Sequence, residues 1–419
     1  MRAARQSSHM TAVLVVFLLV YLGMFLGELP GLEIDRTGIA LLGAIALVAL
    51  GEVSPEQAAQ SVHLPTLLLL FSFMVLSAQM RLGGFYTRVT RRIAASPVGP
   101  PALLALLIAS VAALSAVFSN DIVCLAMAPV LADACLARRL NPVPFLLALA
   151  CAANVGSAAT LIGNPQNMLI GETLRLSFAG YALAAAVPVL AGLAATWAIV
   201  AFLARGRWAL EGAPANAAAE RREDDDAAYD PWQTAKGLMV AGALLAVFLF
   251  TAVPREVAAL TGAGLLLLSR RLHTNKMLGL VDWELLVLFI GLFVVNHAFQ
   301  ETGLAARALQ ALAEAGLPLG APAPMFAVTF VASNLVSNVP ATMLLLPAAT
   351  EPWSGPLLAL VSTLAGNLLI VGSIANIIVV DAAARRGIRI DWRMHARIGV
   401  PVTLATLALA ALWLWLWTK

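Results

Sequence analysis

Apolar residues run along this 419-residue chain in long uncharged blocks, and short polar interruptions break the blocks at recurring places. The pattern predicts helical spans over 11–27, 37–50, 64–80, 144–170 and 178–204, with an interrupted region at 101–135. A polar stretch follows, and the series then repeats over 237–252, 257–269, 285–299, 357–380 and 398–417, with a second interrupted region at 325–349. Most of these blocks have the ~17–25 residues that cross a bilayer as helix. The span at 37–50 is short and must extend to about Glu52 or pack inside protein. Between 83 and 96, Phe85, Val89 and Ile93 recur at helical spacing while Arg88, Arg91 and Arg92 fall elsewhere on the wheel. That predicts an amphipathic helix in the headgroup layer, with 304–316 as its counterpart, each an anchor or a hinge arm.

The interruptions repeat in register. Ser115, Ser119 and Pro129 recur as Ser333, Ser337 and Pro347, each 218 positions on; Gly163 and Asn167 recur as Gly372 and Asn376, each 209 positions on. Non-helical polar backbone survives at membrane depth only where it lines a protein-enclosed cavity. Two such breaks at corresponding places in two halves mark a transporter binding site. The expected fold is an all-α polytopic membrane protein of two inverted repeats, 1–205 and 236–419, joined by a linker at 206–235. Each repeat has five transmembrane helices, one re-entrant hairpin (about 101–135 and 325–349) and one broken helix (about 144–170 and 357–380). An odd number of crossings per half inverts the second half relative to the first.

Composition and charge agree. The chain is 61% hydrophobic and 12% charged, with a mean hydropathy of +0.89, whereas a soluble domain is about a quarter charged. Of its 26 lysines and arginines, only Arg2, Arg5, Arg175, Arg255, Arg307 and Lys419 fall on one face when the predicted spans alternate. The other face is then cytoplasmic, since Lys/Arg excess marks that side. A cell (inner) membrane location follows, with both termini extracytoplasmic, the first hairpin reaching in from the cytoplasm and the second from outside. The linker, with Arg221, Arg222, Asp224, Asp225 and Asp226, is cytoplasmic. The first apolar block lacks the small-residue exit of a cleavable signal. Trp413, Trp415 and Trp417 read as an interfacial belt. Cys124, Cys135 and Cys151 read as packing residues. The five histidines are scattered and no nucleophile–base or metal set is visible, so the chain is read as no enzyme and as having no cofactor, unless sodium ions bind; no nucleic-acid partner is expected.

Candidate chemistry sits at four breaks. A glycine followed by proline or a small polar residue unwinds a helix in mid-span and leaves N–H groups with a positive dipole end facing the cavity. The opposing half-helix offers carbonyls to a cation. Ser115, Ser119, Asn120 and Gly163 form one candidate cation cage; Ser333, Ser337, Asn338 and Gly372 form the other. Asn120, Asp121, Asn164, Pro165, Asn338, Ser373 and Asn376 are candidates for contacting solute, with Asn164, Asn167, Ser373 and Asn376 also able to latch the broken helices. Asp121 is costly in a span and so functional by default. Three roles are open for it: sodium ligand, coupling-proton carrier, or cap of the half-helix at the tip. Its counterpart is Val339. Gln79, Asn154, Asn296 and His297 are read as interhelical hydrogen-bonding residues.

Ser119-Asn120-Asp121 with Pro129, Gly163-Asn164-Pro165-Gln166-Asn167, Ser337-Asn338-Val339-Pro340 and Gly372-Ser373 with Asn376 resemble the ion transporter superfamily. That group includes divalent anion:sodium symporters, citrate-transporter-like permeases, ArsB arsenite/antimonite transporters and NhaD sodium/proton antiporters. The resemblance implies a homodimer, a scaffold and a moving transport domain, and elevator-type alternating access, with cations at both tips and a small anionic or polar solute between them. The symporters carry Ser-Asn-Thr at both tips; here Asp121 and Val339 replace the threonines. The expectation is an ion-coupled permease for a small anion, a carboxylate or inorganic oxyanion, driven by sodium or protons. Arsenite/antimonite efflux and sodium/proton exchange are the alternatives.

Overall fold

A computed structural model describes residues 2–27, 33–210 and 229–417, so the charged run at 221–226 and Lys419 lie outside the described residues. Twenty α-helices make up the described chain, with one isolated bridge between Leu140 and Ala209 as its extended pairing. Eight of these helices are long and apolar enough to cross a membrane.

The helices fall into two matching sets of ten. In the first, α1 (Arg2–Leu26), α2 (Arg36–Ala49), α3 (Pro55–Ser61), α4 (Leu64–Leu82) and α5 (Phe85–Ala94) lead to a helical pair, α6 (Pro100–Val117) and α7 (Asn120–Ala137). Then come α8 (Pro142–Ser157), α9 (Pro165–Thr173) and α10 (Phe178–Leu203). The second set opens with α11 (Pro231–Phe250), α12 (Arg255–Leu267), α13 (Thr274–Leu278), α14 (Trp283–Glu301) and α15 (Leu304–Glu314). It closes with α16 (Pro322–Val336), α17 (Asn338–Leu345), α18 (Ser354–Ala365), α19 (Ile374–Ala384) and α20 (Trp392–Trp417). Even turn chemistry repeats. Gly84 before α5 and Gly303 before α15 are both left-handed, with φ of 68° and 72°, a conformation that glycine adopts without steric cost.

Packing is reciprocal between the sets: α2 lies on α14, α4 on α12, and α10 on α20. The short α2 has 14 residues, about 21 Å of helix at ~1.5 Å per residue. It buries Ile39, Ala40, Gly43, Ala44 and Leu47 between its neighbours rather than facing lipid all round. Gly291 permits the α2–α14 approach, since a Cβ there would stand 2.7 Å from the Ala40 backbone. The helices α3 and α13 have no counterpart among the predicted spans; the signal for α3 was the capping box of Ser54 with Gln57.

The expected breaks are present. Helix stops at Ser157 and resumes at Pro165; in the second set it stops at Ala365, passes a 3-10 turn at Ile370–Gly372 and resumes at Ile374. The amphipathic helix forms as α5, with its arginines exposed and Tyr86, Thr90 and Ile93 buried, packed on α7. The Trp413 indole N–H donates to the Ala184 carbonyl at 2.8 Å, tying α20 to α10, while Trp415 and Trp417 are exposed. The three cysteines are buried and free.

Candidate functional site

Ser119 lies between α6 and α7 and Ser337 between α16 and α17, so each Ser-Asn pair sits at a helix–helix tip with the N-terminus of α7 or α17 just beyond. The first tip rests on the broken segment of its own half. The Asn120 N–H donates to the Gly163 carbonyl at 3.3 Å, and the Thr160 hydroxyl donates to the Ala116 carbonyl. Gly163 has no room for a side chain there: a Cβ would stand 2.3 Å from the Ser157 carbonyl oxygen and 2.7 Å from that of Ser115. Thus Ser115, Asn120 and Gly163 come together, with Ser119 half-buried at the tip. In the second half, Gly372 lies against the Gly366 carbonyl and the Asn334 amide oxygen, and Asn338 lies against Gly366.

The broken segments are held by one hydrogen-bond scheme used twice. Asn167 Nδ2 donates to the Ser157 and Thr160 carbonyls, at 3.5 and 3.0 Å. Asn376 Nδ2 donates to the Gly366 and Leu369 carbonyls, at 2.8 and 3.0 Å. Every one of these positions is related to its counterpart by the 209-residue offset. These bonds satisfy carbonyls that an interrupted helix leaves free. The two asparagines therefore serve as latches in this conformation. Asn164 is likewise engaged: its Oδ1 caps α9 by accepting from Asn167 N–H, and its Nδ2 donates to Ser157 Oγ and Thr363 Oγ1. Pro165 occupies the first turn of α9, where its missing N–H costs nothing.

Bonds also cross between the halves. Ser373 Oγ donates to Asn154 Oδ1 at 2.9 Å, and Asn154 Nδ2 donates to Asn367 Oδ1 at 2.8 Å and to Asn376 Oδ1 at 3.3 Å. Asn120 Nδ2 donates to the same Asn154 Oδ1 at 3.2 Å. One buried hub thus joins a hairpin tip of one half to the broken helix of the other.

Around it, matched oxygens stay without protein partners. Ser115 Oγ and Ser333 Oγ are buried and unpartnered, as are Asn120 Oδ1 and Asn338 Oδ1, each pair again 218 positions apart. Asn334 Oδ1 adds a further one in the second half alone. Buried polar atoms in folded proteins are as a rule hydrogen-bonded, so a recurring set of orphan oxygens is a donor set suited to a cation such as sodium. Asp121 lies half-buried in the first turn of α7, and among the described residues its carboxylate makes no capping hydrogen bond and no ion pair. Its counterpart Val339 is buried among apolar residues.

A model of the citrate transporter (CitMHS) family matches residues 14–356 of the chain, and so covers both tips and the first broken helix. The chain belongs to the citrate transporter family. This agrees with the superfamily that the paired motifs resemble, and the protein is a multi-pass membrane transporter. Relatives span nearly the whole chain. The silicon efflux transporter LSI3 of Oryza sativa subsp. japonica is 28% identical, over 91% of this chain and 93% of its own length. An uncharacterized transporter of Mycobacterium bovis is 30% identical over the same shares of the two chains. A putative transporter arsB of Dictyostelium discoideum is 31% identical, over 35% of this chain and 26% of its own. In fold, the chain is similar to the crystal structure of the Alcanivorax borkumensis YdaH transporter, with a TM-score of 0.56 and 14% identity over 99% and 98% of the two chains.

For this citrate transporter family member, sequence reading placed Asn154 among ordinary interhelical residues and passed over Thr363, Asn367 and Asn334. A signal was present: Asn154 and Thr363 stand 209 positions apart, in the register of the broken helices. Elsewhere, Glu172 at the end of α9 pairs with Arg255 at the start of α12, Oε1 to Nε 2.8 Å apart. Burial raises the Glu172 carboxyl above its ordinary range, and the arginine pulls against that shift. An open cleft of about 540 Å³ lies between α1, α3, α14 and α15, beside His9, Glu52, His297 and Arg307.

Proposed function

We propose that this member of the citrate transporter family is an ion-coupled secondary transporter of a small oxygen-bearing anion, a carboxylate or an inorganic oxyanion. The observation that carries the reading is the pair of matched orphan oxygens, Ser115 with Asn120 and Ser333 with Asn338, on either side of one hydrogen-bonded hub. A cation at each pair, sodium being the natural occupant of hydroxyl and amide oxygens, brings positive charge to a solute held between the tips. The N-termini of α7, α9, α17 and α19 add their positive dipole ends. Asp121 is the coupling carboxylate.

Alternating access of the elevator type fits a division into a scaffold of α1–α4 and α11–α14 and a transport unit of α6–α10 and α16–α20, with α5 and α15 as arms, inverted repeats and a homodimer through the scaffold. Between those units run contacts that a moving domain has to break. The Tyr21 hydroxyl on α1 donates to the Pro340 carbonyl on α17 at 3.3 Å, and Glu172 on α9 pairs with Arg255 on α12, whereas the Tyr21 bond to Asn296 Oδ1 at 2.9 Å stays within the scaffold.

A second reading, efflux of an uncharged metalloid hydroxide such as arsenite, is favoured by one feature. The orphan atoms at the tips are mostly acceptors, and Asp121 would repel an anion in a low-dielectric cavity. Relatives named for silicon efflux and for arsB point the same way. Proteoliposome flux of labelled citrate, sulfate and arsenite, with sodium or pH gradients, decides. Sodium- or proton-driven movement of citrate or sulfate supports the first reading, arsenite movement alone supports the second, and movement of none overturns both.

A further inference from the structure

Asn154 uses its whole side-chain amide. Its Oδ1 accepts from Asn120 Nδ2 and Ser373 Oγ, and its Nδ2 donates to Asn367 Oδ1 and Asn376 Oδ1. An amide has two donor hydrogens and two acceptor lone pairs, so nothing is left over, and three of the four partners belong to the other half of the chain. Thr363, its counterpart by the 209-residue offset, is saturated in the same way. Its Oγ1 accepts from Asn164 Nδ2 at 3.1 Å and Gln166 Nε2 at 3.3 Å, and donates to Asn167 Oδ1 at 3.3 Å. All three of those partners lie in the first half. Both residues are buried, at 2% exposure each.

The two sets of bonds are images of one another. Asn154 holds Ser373 and Asn376; Thr363 holds Asn164 and Asn167; 164 maps to 373 and 167 maps to 376 by the same offset as 154 to 363. Yet Asn154 lies close in sequence to the broken segment of its own half, at 158–164, and Thr363 close to 366–373. Each residue therefore anchors the distant break and leaves the adjacent one to its own latch, Asn167 or Asn376.

We infer that Asn154 and Thr363 are a reciprocal pair of positioning residues, each holding the broken helix of the opposite repeat in register with its own. Asn154 has one further link, to the tip residue Asn120, so it also ties the first tip to the second broken helix. An occupant at either half-site then senses the geometry of the other through a bonded path. This consequence for coupling rests on the transport reading; the cross-holding itself does not.

Amide hydrogen exchange on the whole protein in nanodiscs separates the two. In Thr363→Val, which keeps shape and removes the hydroxyl, exchange should quicken about fivefold to tenfold across 158–164 and 166–168, with 366–373 unchanged, since one lost hydrogen bond shifts a local opening equilibrium by about that factor. In Asn154→Leu the reverse should appear, faster exchange across 366–373 and at 119–121, with 158–164 unchanged. Thr363→Ser, which keeps the hydroxyl, should match the parent. Faster exchange only in the segment adjoining each substitution, or no change in Thr363→Val, overturns the inference. If Asn154→Leu does not fold, Thr363→Val against Thr363→Ser still decides it. Citrate and sodium serve as flux probes in the same variants. In Asn154→Leu the sodium concentration for half-maximal citrate uptake should rise at least about tenfold, and unchanged sodium dependence overturns the coupling consequence. A parent protein that moves none of citrate, sulfate and arsenite, with the crossed exchange pattern intact, removes the transport reading and the coupling consequence while leaving the cross-holding standing.

Discussion

Ser119-Asn120-Asp121 and Ser337-Asn338-Val339 start corresponding helices, but the first tip is tied down and the second is much less so. Asn120 bonds through its backbone N–H to Gly163 and through its side chain to Asn154, and Thr160 adds a bond to the limb before the tip. At the second tip, Ser333, Asn334, Asn338 and Thr342 each keep a buried oxygen without a partner. Ser337 there has φ of +74°, in the left-handed region that disfavours a residue with a Cβ, whereas Ser119 has φ of −56°. The limbs differ as well. The helices α6 and α7 each run 18 residues, α7 continuing through Pro129, while α16 has 15 and α17 only 8 before a 3-10 turn at Leu346–Ala348 containing Pro347. A duplicated motif has thus become one stiff, carboxylate-bearing tip and one strained, apolar-flanked tip.

The sharpest break of this comparison is the carboxylate. Asp121 is the one ionisable residue in 115–121 and 333–339, so Asp121→Asn should flatten the pH dependence of uptake or exchange in proteoliposomes. Loss of a charged contact of ~1.5–3 kcal/mol should also weaken the apparent cation affinity roughly tenfold to a hundredfold. An unaltered pH profile would exclude proton coupling at this residue. Next come the tip asparagines. Asn120→Ala and Asn338→Ala should both lower flux, and Asn120→Ala by more, about tenfold or above, because it also removes the bond to Asn154. Equal effects would mean that the tips are held alike, and full activity in either would end the paired-site reading.

Smaller effects are expected at the serines. Ser115→Ala and Ser333→Ala each remove an orphan oxygen without disturbing a protein bond, so the half-saturating sodium concentration should rise severalfold with no fall in melting temperature. Destabilisation in place of the affinity change would show that these hydroxyls serve packing. The smallest and most diagnostic effect is on backbone strain. Ser337→Gly should stabilise the protein by up to about 1 kcal/mol by relieving the positive φ, while Ser119→Gly should lower stability slightly. Thermal melting in detergent measures both; the same sign for the two would contradict the strain difference.

Much of this architecture could be read along the chain because its signals are local. Uncharged blocks mark helices, glycine and proline mark breaks, and Ser-Asn pairs recur at constant offsets, so spans, tips and interruptions follow from segments of at most a few turns. The candidate cage residues were legible in the same way, as serine pairs four positions apart that recur at a constant offset, although Ser119 and Ser337 lie in the turns after α6 and α16 and not on one helix face with Ser115 and Ser333. Asn154 was not, and neither was Thr363. They are different residue types at equivalent positions, so a search for repeated letters passes over them, and their partners lie roughly 200 positions away. Which buried polar group meets which across two halves depends on how the halves are set against each other. Only the tertiary structure decides that, because a hydrogen bond requires a separation near 3 Å, and nothing in local hydropathy encodes such a distance.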